Sequence, residues 1–264
     1  GSLDLAEDHF KQALVRDPDF TEARLALVRN YVLKHSTGMI DDEEVKELTG
    51  PLIAQVRETE PDNHLARALE LSLKLVAFDV TMSSAEIQAI VDELQSLLLV
   101  LPTETLVRIN VGATLFNYFG NHQRAIEVLQ AGLLIDPLEA EYYRWMGRVY
   151  IDQGSLAEAR TSIMRAVELA PDNPNQYGTM AELELEADNL PASLDWMRQA
   201  IEIDSQDHEL AANIARHLYL LEMPEEGDYW LSRVNTLAPS SGIARSLEVL
   251  RAAAHDDSER ALDL

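Results

Sequence analysis

Arg144 and Arg148 stand one helical turn apart, and Arg216 follows further along the chain. A guanidinium is planar, permanently charged and rich in donors, a shape that suits carboxylates. Such groups in a chain of formal charge −25 are candidates to hold an acidic ligand. Glu141 and Glu182 are close enough in sequence pattern to compete for them, so ion pairing inside the chain is the alternative role.

Other chemistry has less to work with. There is no Cys, hence no disulfide, thiol nucleophile or thiolate metal site. The seven His are His9, His35, His64, His122, His208, His217 and His255, and no two lie at i, i+4 as a helical zinc motif requires. No Gly-rich phosphate loop and no G-x-S-x-G occurs. Carboxylates are plentiful, but a catalytic pair needs a shaped, partly dry site, and nothing in the pattern predicts one. We expect no enzyme activity, no cofactor and no metal. Trp145, Trp196 and Trp230 could suggest an aromatic cage; packing or partial exposure on an outer face explains them better, since Trp196 and Trp230 recur 34 apart.

The elements that would position these groups are helices. The 264 residues are 47% hydrophobic and dominated by Leu, Ala and Glu, with only 11 Gly and 10 Pro. Acids outnumber bases by 46 to 21, which repels nucleic acid and anionic membrane surfaces and attracts basic partners. The longest apolar run, Leu97 to Leu101, falls far short of the ~20 residues a bilayer needs. No signal peptide is visible, so the compartment, cytoplasmic or periplasmic, is left open. Gly1-Ser2 resembles a tag-cleavage scar, which implies a natural N-terminus outside this sequence.

A repeat organises the chain. With Ala140 as position 1, Tyr143, Met146, Gly147, Tyr150, Ala159, Ile163, Ala166 and Pro171 fall at positions 4, 7, 8, 11, 20, 24, 27 and 32. Pro137, Pro171, Ser205 and Pro239 are 34 apart, as are Ala125, Ala159, Ser193 and Gly227, and Ala113, Gly147, Ala181 and Ala215. Small columns let paired helices approach closely, and Pro cannot continue the preceding helix. Larger residues such as Phe116, Tyr150 and Leu218 fill position 11.

This pattern resembles the tetratricopeptide repeat. The resemblance implies an all-α fold, a right-handed α-solenoid of antiparallel helix pairs over residues 3–264. It divides into a half repeat at 3–20, long repeats at 21–63 and 64–105, repeats at 106–139, 140–173, 174–207 and 208–241, and a partial repeat or cap at 242–264. In the half repeat, Ala6, Phe10, Ala13 and Pro18 match positions 20, 24, 27 and 32; in the last, Ala261 falls on position 20. The cut units imply either an excised fragment or caps. The extra length of the long repeats is expected near Ser36 to Glu44 and Asp79 to Ala85. Gly50-Pro51 is expected to kink or interrupt a helix, and Ser83-x-x-Glu86 to cap one.

In that family, residues at positions 2, 5, 9 and 12 of each first helix face a concave binding groove. The resemblance therefore points to Val107, Asn110, Thr114 and Asn117; to Glu141, Arg144, Arg148 and Ile151; to Asn175, Gly178, Glu182 and Leu185; and to Glu209, Ala212, Arg216 and Tyr219. Upstream it adds Glu22, Leu25 and Arg29, and a largely apolar set of Leu65, Ala68, Ser72 and Leu75. The expected ligand-binding set is Asn110, Thr114, Asn117, Arg144, Arg148, Glu182, Arg216 and Tyr219. The expected ligand is a protein or peptide with an acidic or C-terminal carboxylate group near Asn110, Arg144 and Arg148. The family's Lys–Asn carboxylate clamp at positions 5 and 9 is not reproduced here.

The function expected is therefore a protein–protein interaction module. Phrases such as QALVRDPDFTEARLALVRNY are similar to the solenoids attached to bacterial regulators, including winged-helix transcription factors and nucleotide cyclases, which implies a larger signalling protein. A self-associating scaffold and a helical accessory to an absent catalytic domain are the alternatives.

Overall fold

The computed structural model describes residues 2–36, 39–76, 82–238 and 242–255. Among them are fourteen helices and no strand. The chain divides into two compact units, Gly1–Pro137 and Leu138–Leu264.

The first unit holds α1 (Ser2–Arg16), α2 (Thr21–Ser36), α3 (Asp42–Thr59), α4 (His64–Val76), α5 (Ser84–Leu97), α6 (Thr105–Asn117) and α7 (His122–Leu133). The second holds α8 (Ala140–Asp152), α9 (Leu156–Leu169), α10 (Pro174–Glu186), α11 (Leu190–Ile203), α12 (His208–Leu220), α13 (Pro224–Leu237) and α14 (Gly242–Ala254). In each unit, successive helices pack as antiparallel pairs, the all-α solenoid architecture. Residues 37–38 and 77–81, in the two expected insertions, together with Pro239 and Ala261, lie outside the described residues.

Side chains at the helix starts explain where the helices begin. Asp41 accepts from the amides of Glu43 and Glu44 and caps α3. Ser83 and Glu86 form the expected capping box at α5. Asn121, Asn173, Asn189 and Asp207 cap α7, α10, α11 and α12. The expected interruption at Gly50-Pro51 does not occur: α3 runs through Pro51. The missing Pro N–H leaves a free carbonyl one turn earlier, at Glu47, an exposed residue where water can satisfy it.

The pairs close on small residues. A Cβ on Gly147 of α8 would overlap the Ile163 side chain of α9 and lie 3.6 Å from the Ala159 carbonyl oxygen. Ala125 and Ala159 are fully buried, and Ser193, also fully buried, donates its hydroxyl to the Ala181 carbonyl at 2.8 Å. Gly227 stands where a Cβ would come within 2.5 Å of the Tyr219 ring.

One column falls out of register. The α6–α7 turn has four residues, 118–121, where the α8–α9, α10–α11 and α12–α13 turns have three. The amide of Asn121 bonds back to Leu115, whereas Ser155, Asn189 and Met223 bond to Tyr150, Glu184 and Leu218. Leu115 therefore takes the place expected for Phe116, and Gly112, whose Cβ would lie 3.0 Å from Leu129, takes that of Ala113. Pro102 and Pro137 are accordingly 35 apart.

The turns between repeats share a clasp. Arg24, Arg108 and Tyr177 each donate to the carbonyl six residues earlier, that of Pro18, Pro102 and Pro171. Arg24 and Arg108 are both buried, so these guanidiniums act as parts of the turn.

Inside the turns that join the two helices of a repeat, Gly120, Gly154, Asp188 and Glu222 recur 34 apart with φ of 59°, 71°, 54° and 57°. Only glycine adopts this left-handed conformation without a steric penalty. Replacing Glu222 with Gly is expected to stabilise the protein by up to about 1 kcal/mol. Gly154→Ala should cost about 1–2 kcal/mol. Thermal unfolding followed by far-UV circular dichroism checks both; equal shifts of either sign would show that the turn is not strained.

Candidate ligand-binding face

In the second unit, α8 brings Arg144, Trp145 and Arg148 onto one face. The two guanidiniums lie 5.1 and 4.9 Å from the centroid of the same indole. Cations over a Trp ring are attracted by its quadrupole. The spacing that produces this is Arg–Trp–x–x–Arg, legible in the sequence once the three are placed on a helix.

The two arginines are held very differently. Arg144 forks onto Glu141 with contacts of 2.6, 3.0 and 3.2 Å, and its side chain is only 13% exposed. Glu141 also accepts from Gln176 at 2.9 Å and Asn173 at 3.3 Å. Gln176, on α10, is fully buried, so this network joins α8 to α10. Arg148 has a single ion contact, 3.4 Å to Glu182 of α10, whose side chain is 54% exposed.

Arg216 occupies the matching position on α12. Among the described residues its recorded polar contact is with the Asn213 side chain, at 2.7 Å. Between the two, at Gly178 of α10, a Cβ would meet nothing within 4 Å. Ile151 is half-buried and Leu185 exposed, adding apolar surface at position 12 of α8 and α10.

Two parts of the expected set are corrected. Tyr219 is buried against Gly227, and its hydroxyl donates to Asp228 at 2.9 Å. Burial and the carboxylate together push the phenol well above its ordinary range. Asp228 in turn is held by Arg251 at 2.8 Å and His255 at 3.2 Å, so Tyr219 belongs to the seam between α12, α13 and α14. Burial opposes ionisation of Asp228, yet the bonds from Arg251 and Tyr219 keep its carboxyl below the usual range.

The second correction follows from the extra residue in the α6–α7 turn. It moves positions 2, 5, 9 and 12 of α6 to Leu106, Ile109, Ala113 and Phe116. Val107, expected in the groove, is fully buried. Asn110 and Thr114 are half-buried, and the Thr114 hydroxyl is spent on the Asn110 carbonyl at 2.8 Å; Asn117 is exposed. These three lie in the first unit, where the corrected positions are apolar. That inner side is further closed by Arg29 to Glu104, 2.5 Å, and by Leu65 and Leu106 packing on the cluster that includes Leu25.

The sequence alone missed Trp145 as a partner of the arginines and Gln176 as the anchor of Glu141. Gln176 had no local signal, because its role exists only once α10 packs on α8. Among the described residues no cluster of three or more His, Asp or Glu is arranged to hold a metal, and no helix is long and apolar enough to cross a membrane.

Residues 119–183 match the sequence profile of the tetratricopeptide repeat family. No curated protein sequence matches the chain. Solved structures agree on the fold. The yeast Tom70 structure aligns over 99% of this chain and 53% of its own, at 15% identity and a TM-score of 0.64. A thermophilic tetratricopeptide repeat protein of Thermus thermophilus aligns over 72% and 96%, at 19% identity and 0.59. One from Parabacteroides merdae aligns over 89% of both chains, at 17% identity and 0.55.

The contrast between the two arginines is measurable. Arg144→Ala strands part of a half-buried network and is expected to cost about 1–3 kcal/mol. Arg148→Ala breaks one exposed ion pair and one indole contact and should cost less than about 1 kcal/mol. Urea unfolding of the two variants decides; a loss as large for Arg148 as for Arg144 would contradict the assignment.

Proposed function

We propose that this chain, built of tetratricopeptide repeats, is a protein-binding module whose second unit takes an acidic segment or a C-terminal carboxylate on the face formed by α8, α10 and α12. The observation that carries this reading is the state of the two position-9 arginines. In a chain of net charge −25, Arg148 has among the described residues one ion pair, at 3.4 Å, and Arg216 bonds to one side-chain amide. An incoming carboxylate can replace Glu182 at Arg148, because Glu182 is itself half in water and gives up little. Arg144, locked to Glu141, shapes the face and stacks on Trp145.

The neighbouring groups suit a peptide. Gly178 leaves room for a side chain, and Ile151 and Leu185 offer apolar surface one turn beyond the position-9 residues of α8 and α10. The mode is charge-assisted recognition of a carboxylate on a preformed helical surface.

The test pairs the wild type with an Arg148→Glu/Arg216→Glu variant of unchanged melting temperature. Partners captured from a proteome lysate by the wild type should be lost from the variant. Peptides from those partners, made as free acids and as C-terminal amides, then separate an internal acidic segment from a terminal carboxylate by fluorescence polarisation. Binding is expected to weaken at least about tenfold in the variant, roughly 1.4 kcal/mol, and to fall as salt rises. Retention of the same partners by both proteins would mean that this face is not the binding surface.

A further inference from the structure

The first unit carries a second surface, on α3. Lys46, Gly50 and Ala54 form one row at four-residue intervals and Thr49, Ile53 and Arg57 a second beside it, which places all six in one stripe along the helix. With Glu70 and Leu73 of α4 they line a cavity of about 460 Å³. Its floor is apolar: Ile53 and Leu73 are buried, and Thr49, fully buried, spends its hydroxyl on the Val45 carbonyl at 2.6 Å.

Gly50 keeps the cavity open, since a Cβ there would meet nothing within 4 Å. Gly50 and Ala54 lie one turn apart and leave a trough along α3. A trough of small residues lets the ridge of another helix seat closely. From Lys46 to Arg57 it runs about 17 Å, roughly three helical turns.

The rim carries the opposite sign from the chain as a whole. Lys46 is exposed and pairs with no carboxylate among the described residues. Arg57 stands 3.9 Å from Glu70, a carboxylate that also serves Arg67 at 3.3 Å and Lys74 at 3.4 Å. Arg67 is held in addition by Glu93 at 2.6 Å. Among the described residues Arg57, Arg67 and Lys74 thus share two acids, Glu70 and Glu93, and Lys46 has none, in a sequence where acids outnumber bases by 46 to 21. The acidic first turn of α3, Asp42 to Glu44, bounds the other end.

We propose that this trough docks an amphipathic acidic helix of another protein, with apolar side chains on Ile53 and Leu73 and carboxylates at Arg57 and Lys46. Helix-in-groove recognition needs an apolar floor read at helical spacing and a rim of complementary charge, and α3 with α4 supplies both. The surface lies in the first unit and is independent of Arg148 and Arg216.

The probe is a fluorescein-labelled helical peptide of about fifteen residues, with leucine or phenylalanine at every third or fourth position and glutamate between. Titrated with the full chain, it is expected to bind in the micromolar range. Gly50→Leu places a side chain in the trough, where its Cβ has open space, and should weaken binding at least about tenfold. Lys46→Glu/Arg57→Glu should do the same and flatten the salt dependence. Run in the Arg148→Glu/Arg216→Glu background, which disables the acidic-ligand face of the second unit, the titration should keep its full response to both trough variants. Melting temperatures at or above wild type confirm that the Gly50 variant is folded. No binding to wild type, or binding indifferent to both trough variants, overturns the proposal. So does a concentration-dependent mass that Gly50→Leu abolishes, because the occupant is then a second copy of this chain.

Discussion

Everything in this fold depends on how closely two helices can approach across a repeat. Gly147 sits where even a methyl group would overlap Ile163, and Gly112 where it would press on Leu129. Ala125 and Ala159 fill the facing column with no exposed surface. At that separation, carbonyls and side chains of the two helices come within bonding reach, as Ser193 does to Ala181. A pair so closed cannot cover its own outer face, so the next pair must. The upstream repeats carry Val28 and Leu71 at the small position, both buried, and there the turns within the repeats are longer.

Charge is used in two ways, and burial separates them. Arg24 and Arg108 are buried hydrogen-bond donors that replace the aromatic clasp seen at Tyr177. Lys34, also buried, holds α1 to α2 through Asp4 at 2.5 Å and Glu7 at 2.6 Å. Glu184 stands at a column otherwise filled by large apolar or aromatic side chains, and is satisfied by Arg160 at 2.5 Å and Asn189 at 3.1 Å. Arg160 holds its carboxyl below the ordinary range, although burial acts the other way. These groups are committed to the fold. Arg148, Arg216 and Lys46 are engaged more lightly among the described residues, by one exposed ion pair and an indole, by one side-chain amide, and by no carboxylate.

The turn residues show a related economy. Four positions 34 apart demand a left-handed backbone, and the chain supplies Gly120 and Gly154 but also Asp188 and Glu222. The turn survives an unfavourable residue because its closing bonds, such as Met223 to Leu218, are set by the helices on either side.

The repeat itself was legible in the sequence. Small residues and prolines at fixed spacing state which helices pair and where they end, because those requirements are local and steric. The Ser83–Glu86 cap was legible for the same reason. The chemistry of the face was only half legible. Arginines at groove spacing could be found, but not which of them were free, since Arg144 is engaged by Glu141, itself held by Gln176 from the next repeat. Tyr219 read as a groove residue and proved to be part of the core, because Asp228 and Gly227 on the following helix draw it inward. Asn110, Thr114 and Asn117 were displaced by one inserted turn residue. A fixed spacing cannot reveal such an insertion: the second helix keeps its register while the first slips by one. Sequence alone determined the architecture through sterics repeated every 34 residues; tertiary structure decided which charges are spent, because ion pairing is settled between helices that are neighbours only after folding.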